Sequence, residues 1–226
     1  MFDTFEKVLD FLNLYPSYVK FVAAVTLVSL VILVLMMVFV QRQNPESRTL
    51  FIKDLNELWK PLADDLRAAK PSQKRLDLLG LTLYSAWGEL LPWIQEPDTR
   101  DWEIDIYCLS PEAARGPLKD LISEEWARDA EDKSKAIQEF LQQHASDLAS
   151  RNVKLSLHHY TTFPAVHGFL LGSGKIYMSL TRWSPQTGKL EYGAHPYEVV
   201  GADDQSPRAT ASRNAFMNWL YRAKKG

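Results

Sequence analysis

Residues 102–109 read W-E-I-D-I-Y-C-L, and residues 153–160 read V-K-L-S-L-H-H-Y. Apolar and polar side chains largely alternate in both segments, which is the spacing of a β-strand. Between them the apolar residues recur at steps of three and four, as in amphipathic helices. These positions are Leu118, Leu121, Ile122 and Trp126, then Ile137, Phe140, Leu141, His144 and Leu148, with Asn152 as the expected end. A strand, helices and a second strand predict a parallel crossover unit at the core of an α/β domain.

The sequence after this unit predicts an antiparallel hairpin. Residues 166–171 and 175–183 have strand character, and the turn Gly172-Ser173-Gly174 separates them. Further strands are expected at residues 189–192 and 197–200, and a closing helix at Phe216, Trp219, Leu220 and Ala223. We therefore predict a mixed-sheet α/β sandwich domain over residues 98–226.

Residues 42–97 are predicted to form a helical connector. The first apolar stripe with helical spacing is Phe51, Leu55, Leu58, Leu62 and Leu66. Pro61 is expected to kink or break this helix near Lys60, because proline lacks the N–H donor and crowds the preceding turn. A second helix is expected to begin after Ser72 and to end between Pro92 and Pro97. Its stripe is Leu76, Leu79, Leu83, Trp87, Leu90 and Ile94. Both stripes fit either core packing or a stalk that associates between protomers.

An uninterrupted apolar segment occupies residues 21–40, F-V-A-A-V-T-L-V-S-L-V-I-L-V-L-M-M-V-F-V, with no charged side chain. Twenty helical residues span about 30 Å, which equals the hydrocarbon thickness of a bilayer. A secretory signal peptide has a shorter apolar stretch and a cleavage site of small residues, whereas Gln41 and Arg42 follow here. We therefore predict one uncleaved transmembrane helix over residues 18–41 and a single-pass membrane location.

Basic residues on the two sides of this segment predict its orientation. Lys7 and Lys20 precede it, and the basic residues that follow closely are Arg42, Arg48, Lys53 and Lys60. This excess favours a cytoplasmic location for the C-terminal domain. Residues 1–17 have apolar positions at helical spacing, namely Phe2, Phe5, Leu9 and Leu12. This pattern predicts a short amphipathic helix that lies at the membrane interface or, alternatively, contacts a neighbouring subunit.

Composition excludes several classes of protein. The 226 residues are 46% hydrophobic and 12% aromatic, which suffices for a packed core and is untypical of a disordered chain. The 26 basic and 28 acidic residues give a net charge of −2, so no overall field favours nucleic acid. Cys108 is the only cysteine, which rules out an intramolecular disulfide and fits a reducing compartment. We expect it to be buried on its strand.

Motifs for common cofactors are missing or incomplete. Gly172-Ser173-Gly174-Lys175 resembles the end of a phosphate-binding loop, but Phe169 and Ile176 replace the glycine and the hydroxyl residue that such a loop requires. The five histidines have no zinc-ligand spacing, and no G-x-S-x-G motif occurs. We therefore expect no metal and no cofactor. His159 shares a face with apolar residues, which is typical of a hydrogen-bonded core histidine.

The order of elements, with V-H-G-F-L-L-G-S-G-K-I-Y-M-S-L-T-R-W at residues 166–183 and a terminal helix, resembles the phospholipase D superfamily. The resemblance covers roughly residues 102–222. In that family a similar hairpin carries a histidine nucleophile, a phosphate-binding lysine two residues later and an aspartate in the turn. The resemblance implies the family's α/β fold and, for an intact motif, phosphodiester cleavage.

Only one of the three motif positions matches that pattern here. His167 stands where the family has its nucleophile, whereas Phe169 replaces the lysine and Gly174 replaces the aspartate. Thr181 and Arg182 occupy the positions of a small Gly-Ser pair. Phenylalanine supplies no cation, so a phosphate clamp would need Lys175 or Arg182. We therefore predict that the chain lacks a complete set of catalytic residues but binds a ligand. The predicted ligand-binding residues are His167, Lys175, Thr181 and Arg182.

Two functions remain compatible with the sequence. The first is a membrane-anchored, non-enzymatic module whose cytoplasmic domain binds a ligand or partner, within a homo-oligomer or as a subunit of a membrane complex. The second is a phospholipase D-like phosphodiesterase that uses His167 on phospholipid or nucleic acid. An alternative without any catalytic role is that His167 is an ordinary residue at the end of a strand in an unrelated α/β fold.

Overall fold

The computed structural model describes Val25, Thr26 and residues 28–36, 50–186, 188–190 and 196–226. The chain divides into two compact units, Met1–Arg48 and Thr49–Gly226. In the first unit Val25, Thr26 and residues 28–36 are α-helical and exposed. Among the described residues no helix has the length and apolar character needed to cross a bilayer. The predicted interfacial helix at residues 1–17, and the parts of the predicted span at 18–24, 27 and 37–41, lie outside the described residues.

The second unit is built on a seven-stranded mixed sheet with the order β1-β7-β6-β5-β2-β3-β4. Strands β2, β3 and β4 are parallel to one another, and every other neighbouring pair is antiparallel. The strand at one edge, β1, pairs with a strand about 150 residues later, in the register Leu50↔Val199. The strands are β1 (Leu50–Ile52), β2 (Arg75–Leu79), β3 (Glu103–Leu109), β4 (Lys154–Tyr160), β5 (Val166–Leu171), β6 (Ile176–Leu180) and β7 (Tyr197–Val200).

Helices cover both faces of this sheet and bury two apolar clusters. On the first face, Leu76, Ile104 and Phe169 pack against helices α1, α2, α4 and α5. On the second face, Tyr107 and Met178 pack mainly against α3 and α6. The helices are α1 (Leu55–Arg67), α2 (Tyr84–Gln95), α3 (Pro111–Arg115), α4 (Glu124–Gln143), α5 (Ala145–Ser150) and α6 (Pro207–Lys225), with a 3₁₀ turn at Pro71–Gln73.

The structure confirms the predicted α/β class and several of its parts. Strands β3 and β4 are parallel neighbours joined by helices, as the crossover unit requires. Strands β5 and β6 form the predicted antiparallel hairpin, and the closing helix is α6. Cys108 is buried, and that burial raises its pKa to about 12. His159 is half-buried, and its Nε2 lies 2.7 Å from Ser134 Oγ.

The start of the second helix within residues 42–97 was predicted wrongly. The expected second helix does not include Leu76 and Leu79, because residues 75–79 form β2 at the centre of the sheet. Leu76, Leu79 and Leu83 have helical spacing, but β2 is covered on both faces and such strands carry apolar residues at consecutive positions. The sheet thus takes both β1 and β2 from the segment predicted as a connector.

Proline does not break the first helix. Helix α1 continues through Pro61, with Leu58 before it and Leu62 and Leu66 after it buried in the first-face core. The apolar contacts on both sides of the proline offset the missing hydrogen bond. Trp126 and Ile137, which belong to two successive apolar groups in the sequence, both lie in the single helix α4. Of the strand expected at 189–192, Leu190 forms an isolated bridge to Trp183, and residues 191–192 lie outside the described residues.

Arg151 joins the end of α2 to the end of α5 from a buried position. Its Nη1 donates to the carbonyl oxygens of Ile94 at 2.7 Å and Thr99 at 2.9 Å. Its Nη2 lies 2.6 Å from the Asp147 carboxylate. One guanidinium therefore satisfies the carbonyl of Ile94 in the last turn of α2 and that of Thr99 in the loop after it.

We expect Arg151→Met to lower the free energy of unfolding by about 3 kcal/mol, because it leaves buried acceptors without a donor. Urea unfolding followed by tryptophan fluorescence measures this change. The matched control is Lys135→Met, whose ammonium is exposed and lies 3.8 Å from Glu139; it should cost less than about 0.5 kcal/mol. Equal losses for the two variants would contradict the assigned role of Arg151.

Candidate functional site

A cavity of about 390 Å³ lies where β2 ends and β5 begins. Its volume is within the range of small-molecule sites, roughly 300–1,000 Å³. The walls come from the loop after β2, the first turns of α1 and α2, the start of β5, and single residues of α4 and β7. The lining residues are Asp54, Leu55, Asn56, Leu78, Leu79, Gly80, Leu81, Thr82, Leu83, Tyr84, Ser85, Ala86, Trp126, His167, Gly168, Phe169, Thr181 and Tyr197.

Two unusual backbone conformations shape this cavity. Leu83 has a φ of 59°, the left-handed region, which costs a bulky side chain roughly 1–3 kcal/mol. Burial of its side chain holds it there, and the chain turns directly from β2 into α2. Gly168 has a φ of +146°, and a Cβ at this position would lie only 1.9 Å from the carbonyl oxygen of Tyr177. The wall formed by β5 is therefore bare backbone at this position.

Helix α2 begins at the cavity without a side-chain cap. The N–H of Tyr84 is 3.4 Å from Thr82 Oγ1, and the structure gives the N–H groups of Ser85 and Ala86 no partner among the described residues. No acidic residue occupies the first turn. The N-terminus of α2, with its partial positive charge, therefore lines the cavity and has no carboxylate in its own first turn.

Three polar side chains form a row across strands β5, β6 and β7 on the first face. The pairing His167↔Ser179 and the register of β6 with β7 place Ser179 between His167 and Tyr197. The rings of His167 and Tyr197 meet edge to face at 5.8 Å, and both line the cavity. Ser179 is 2% exposed, and its Oγ has no hydrogen-bond partner among the described residues. Burial, and less strongly Asp54, raises the pKa of Tyr197 above its usual range, so its hydroxyl stays protonated.

The cavity brings together two of the four residues predicted to bind a ligand. His167 and Thr181 both line it, and Thr181 Oγ1 also donates to Pro164 O at 2.9 Å. Lys175 lies at the opposite end of the hairpin, roughly 13 Å along the strand from His167 at about 3.3 Å per residue. Its Nζ is 2.5 Å from Asp65 Oδ2, which also accepts a hydrogen bond from Tyr177. Arg182 is exposed and is not part of the lining.

The positions of the missing phospholipase D residues have structural roles. Phe169 is 1% exposed and contributes its ring to the first-face core. Gly174 has a φ of +88° in the hairpin turn, a backbone conformation that favours glycine. No lysine or arginine is among the described residues that line the cavity. Lys133 of α4 lies near it, with Nζ 4.7 Å from the centre of the Tyr84 ring.

A second polar cluster lies on the other face of the sheet. The buried Asp77 has its carboxylate 3.2 Å from Arg75 and 3.0 Å from Lys224 of α6. Asp105 contacts His158 at 3.0 Å. The charges in this cluster therefore compensate one another. Among the described residues no group of three or more His, Cys, Asp or Glu is placed to hold a metal ion.

Several site residues could not be selected from the sequence. By their spacing, Ser179, Tyr197 and Trp126 are ordinary members of a strand or helix. Strand register places Ser179 and Tyr197 near His167, and helix packing brings Trp126 to the same cavity. One local signal does exist, because Tyr84, Ser85 and Ala86 open a helix that has neither a capping side chain nor an acidic first turn.

Comparison of the chain with protein-family models, with curated proteins and with solved structures finds no match in any of the three. The geometry of the cavity is therefore the basis for a functional assignment.

We expect Ser179→Ala to raise the free energy of unfolding by about 1 kcal/mol in ligand-free protein, because a buried hydroxyl without a partner is destabilising. Ser134→Ala is the matched control, since Ser134 is also buried but its hydroxyl contacts His159; it should lose about 1 kcal/mol. Urea unfolding of both variants shows whether each substitution raises or lowers the free energy of unfolding. A loss of stability in Ser179→Ala equal to that of Ser134→Ala would show that the Ser179 hydroxyl has a partner.

Proposed function

We propose that this chain is a membrane-anchored, non-enzymatic module whose domain at residues 49–226 binds a small ligand in the cavity after β2. The cavity carries this proposal, because its wall combines an uncapped helix N-terminus, the buried Tyr197 and a few half-buried polar side chains with apolar residues. A few polar groups placed in an apolar concavity are typical of small-molecule sites. Its location, where a parallel strand and an antiparallel strand diverge, is also where α/β sheets commonly bind ligands.

The residues of the cavity support binding better than catalysis. His167 is present, but the lining contains no lysine, arginine or cysteine among the described residues, and Asp54 accepts a hydrogen bond from the N–H of Glu57. Phosphodiester cleavage requires a cation to stabilise charge on the phosphoryl oxygens. Lys175 is held by Asp65 at the far end of the hairpin and does not supply it.

The remainder of the proposal concerns location and assembly. Residues 18–41 would hold the domain at the cytoplasmic surface of a membrane, where a homo-oligomer or a larger membrane complex would transmit ligand binding. Confinement of several copies to one surface raises their effective concentration, so a modest change in the domain is enough to alter association.

Ala86→Trp tests ligand binding by filling the cavity, because Ala86 lies in its wall. The matched control is Gly88→Trp in the same helix, where an added Cβ meets no atom within 4 Å. Full-length protein in mild detergent is assayed by native mass spectrometry and by thermal unfolding in a small-molecule extract of the expression host. We expect a bound small molecule, or stabilisation by the extract, in wild type and Gly88→Trp and neither in Ala86→Trp. The same response from all three proteins would contradict the proposal.

His167→Ala decides between binding and phosphodiesterase activity. We expect no hydrolysis of bis(p-nitrophenyl) phosphate above background by the wild type or by the variant, because no cation completes the site. Hydrolysis by the wild type that disappears in a normally folded His167→Ala protein would instead establish the phospholipase D-like function. Circular dichroism of the variant provides the folding control.

A further inference from the structure

We propose that β4, the strand at one edge of the sheet, pairs with β4 of a second copy of this chain. The two strands run antiparallel, with Leu157 of each copy on the two-fold axis between them. This contact specifies the interface of the homo-oligomer and therefore rests on that part of the proposed function. It does not involve the cavity after β2, whose described lining contains no residue of β4.

One side of β4 is hydrogen-bonded within the domain. β4 is the last strand in the order of the sheet, and among the described residues its only partner strand is β3. The N–H of Lys154 donates to Trp102 O at 2.8 Å, and Tyr160 O accepts from the N–H of Ser110 at 2.8 Å. Because the backbone groups of successive strand residues point to opposite sides, every second residue from Lys154 to Tyr160 is bonded to β3.

The other side of β4 is open. The three residues whose N–H and C=O groups point away from β3 are Leu155, Leu157 and His159. None of the described residues hydrogen-bonds to these backbone groups. The side chains are held by their own domain, since His159 Nε2 lies 2.7 Å from Ser134 Oγ and both leucines pack against the first-face core. The edge therefore presents a row of backbone donors and acceptors to a further strand.

β4 lacks the features that usually prevent edge strands from pairing. Protected edges are short, or they carry proline, a bulge or several charges. β4 has 7 residues, no proline, and an unbroken register from Glu103↔Lys154 to Leu109↔Tyr160. Lys154 is its only lysine, arginine or acidic residue. The strand at the opposite edge, β1, has only 3 residues. β4 is therefore the better template for another strand.

The sequence of β4 fits an antiparallel copy of itself. When Leu157 lies opposite its own copy, Leu155 lies opposite His159, and all three pairs are of the hydrogen-bonded type. Each such pair exchanges two hydrogen bonds, so the interface contains about six. Leu157 is half-buried on the first face and gains an apolar contact with its own copy. Every outward backbone group of the strand thus finds a partner.

Charge favours this register over its neighbour. In the register centred on Leu157 the two copies of Lys154 lie roughly 20 Å apart along the strands, beyond the Debye length of about 8 Å at physiological salt. Each lysine lies opposite Tyr160 of the other copy. A register centred on Leu155 would bring the two lysines to roughly 7 Å along the strands, where like charges repel. The strand is therefore complementary to a second copy of itself in one register.

Symmetry limits this assembly to a dimer. An edge that pairs with its own copy closes around a two-fold axis, whereas pairing of β4 with β1 of the next copy would add strands without end. One strand pair is a small interface, and confinement of the chains to one membrane raises their effective concentration. The contact is therefore suited to reversible association.

Leu157→Cys and Leu155→Cys test the interface as a matched pair. Both leucines are half-buried in β4 and pack against the same core, so the two substitutions remove equivalent contacts. Only residue 157 lies opposite its own copy, because the two copies of residue 155 are roughly 13 Å apart along the strands. The full-length chain in mild detergent is oxidised with copper phenanthroline, and covalent dimers are measured by non-reducing electrophoresis.

Leu157→Cys should form a disulfide-linked dimer at least about tenfold faster than Leu155→Cys, because its opposed Cα atoms lie within the range that a disulfide spans. In a hydrogen-bonded antiparallel pair that distance is about 5.5 Å. Wild type should remain monomeric on the gel, because its only cysteine, Cys108, is buried.

A second pair of variants keeps the test decisive if Leu157→Cys misfolds. Ser156 and His158 lie opposite each other across the interface as a non-hydrogen-bonded pair. A mixture of the Ser156→Cys and His158→Cys proteins should therefore give more covalent dimer than either protein alone. Circular dichroism of every variant provides the folding control.

Three outcomes would overturn the inference. They are equal rates for Leu157→Cys and Leu155→Cys, no covalent dimer from either Leu157→Cys or the mixture, and an open-ended series of masses for the wild type in native mass spectrometry. A wild-type dimer in native mass spectrometry, together with either of the first two outcomes, would keep the proposed homo-oligomer and remove only this interface. A monomeric wild type that also gives no covalent dimer would contradict both. Neither result depends on the comparison of Ala86→Trp with Gly88→Trp, which tests ligand binding.

Discussion

The change of strand direction at β2 is the constraint on which the rest of this structure depends. On one side β2 is hydrogen-bonded to parallel β3, and on the other side to antiparallel β5. The chain leaving β2 turns into α2 on the first face, whereas β5 enters the sheet beside it from the loop after β4. The two neighbouring ends therefore lead away from each other, and the space between them becomes the cavity.

The two ends of the hairpin β5–β6 have different surroundings, since one is fixed to α1 and the other lies beside the cavity. At the turn, Lys175 and Tyr177 share the carboxylate of Asp65, which fixes the hairpin to α1. At the open end, His167 and Ser179 lie beside the cavity, and Gly168 brings the strands into close contact. Lys175 was predicted to join His167 as a cation that replaces the family's lysine, but an extended strand keeps its two ends apart.

The parts of the fold that the sequence predicted are those in which local pattern and final structure agree. Local sequence alone specifies these elements. The signals are the alternation in β3 and β4, the glycine turn of the hairpin and the apolar stripe of α6. Strand β2 was not predicted, because a short apolar run fits a buried strand and a helix equally well. The row His167, Ser179 and Tyr197 exists only through the registers of three strands, which no local pattern encodes.

The pairing of β1 with β7 has a consequence for how the protein is made. Leu50 leaves the ribosome long before Val199, its partner in the sheet. Until then the backbone groups of β1 have no partner strand. Its side chains Leu50 and Phe51 are exposed even in the folded structure. Contacts between such distant residues form late in folding, because ordering the long loop between them costs entropy before the contact contributes any stability. The sheet edge therefore cannot be completed until residues 197–200 have been synthesised, and β1 remains an unpaired strand, open to association with other chains, until then.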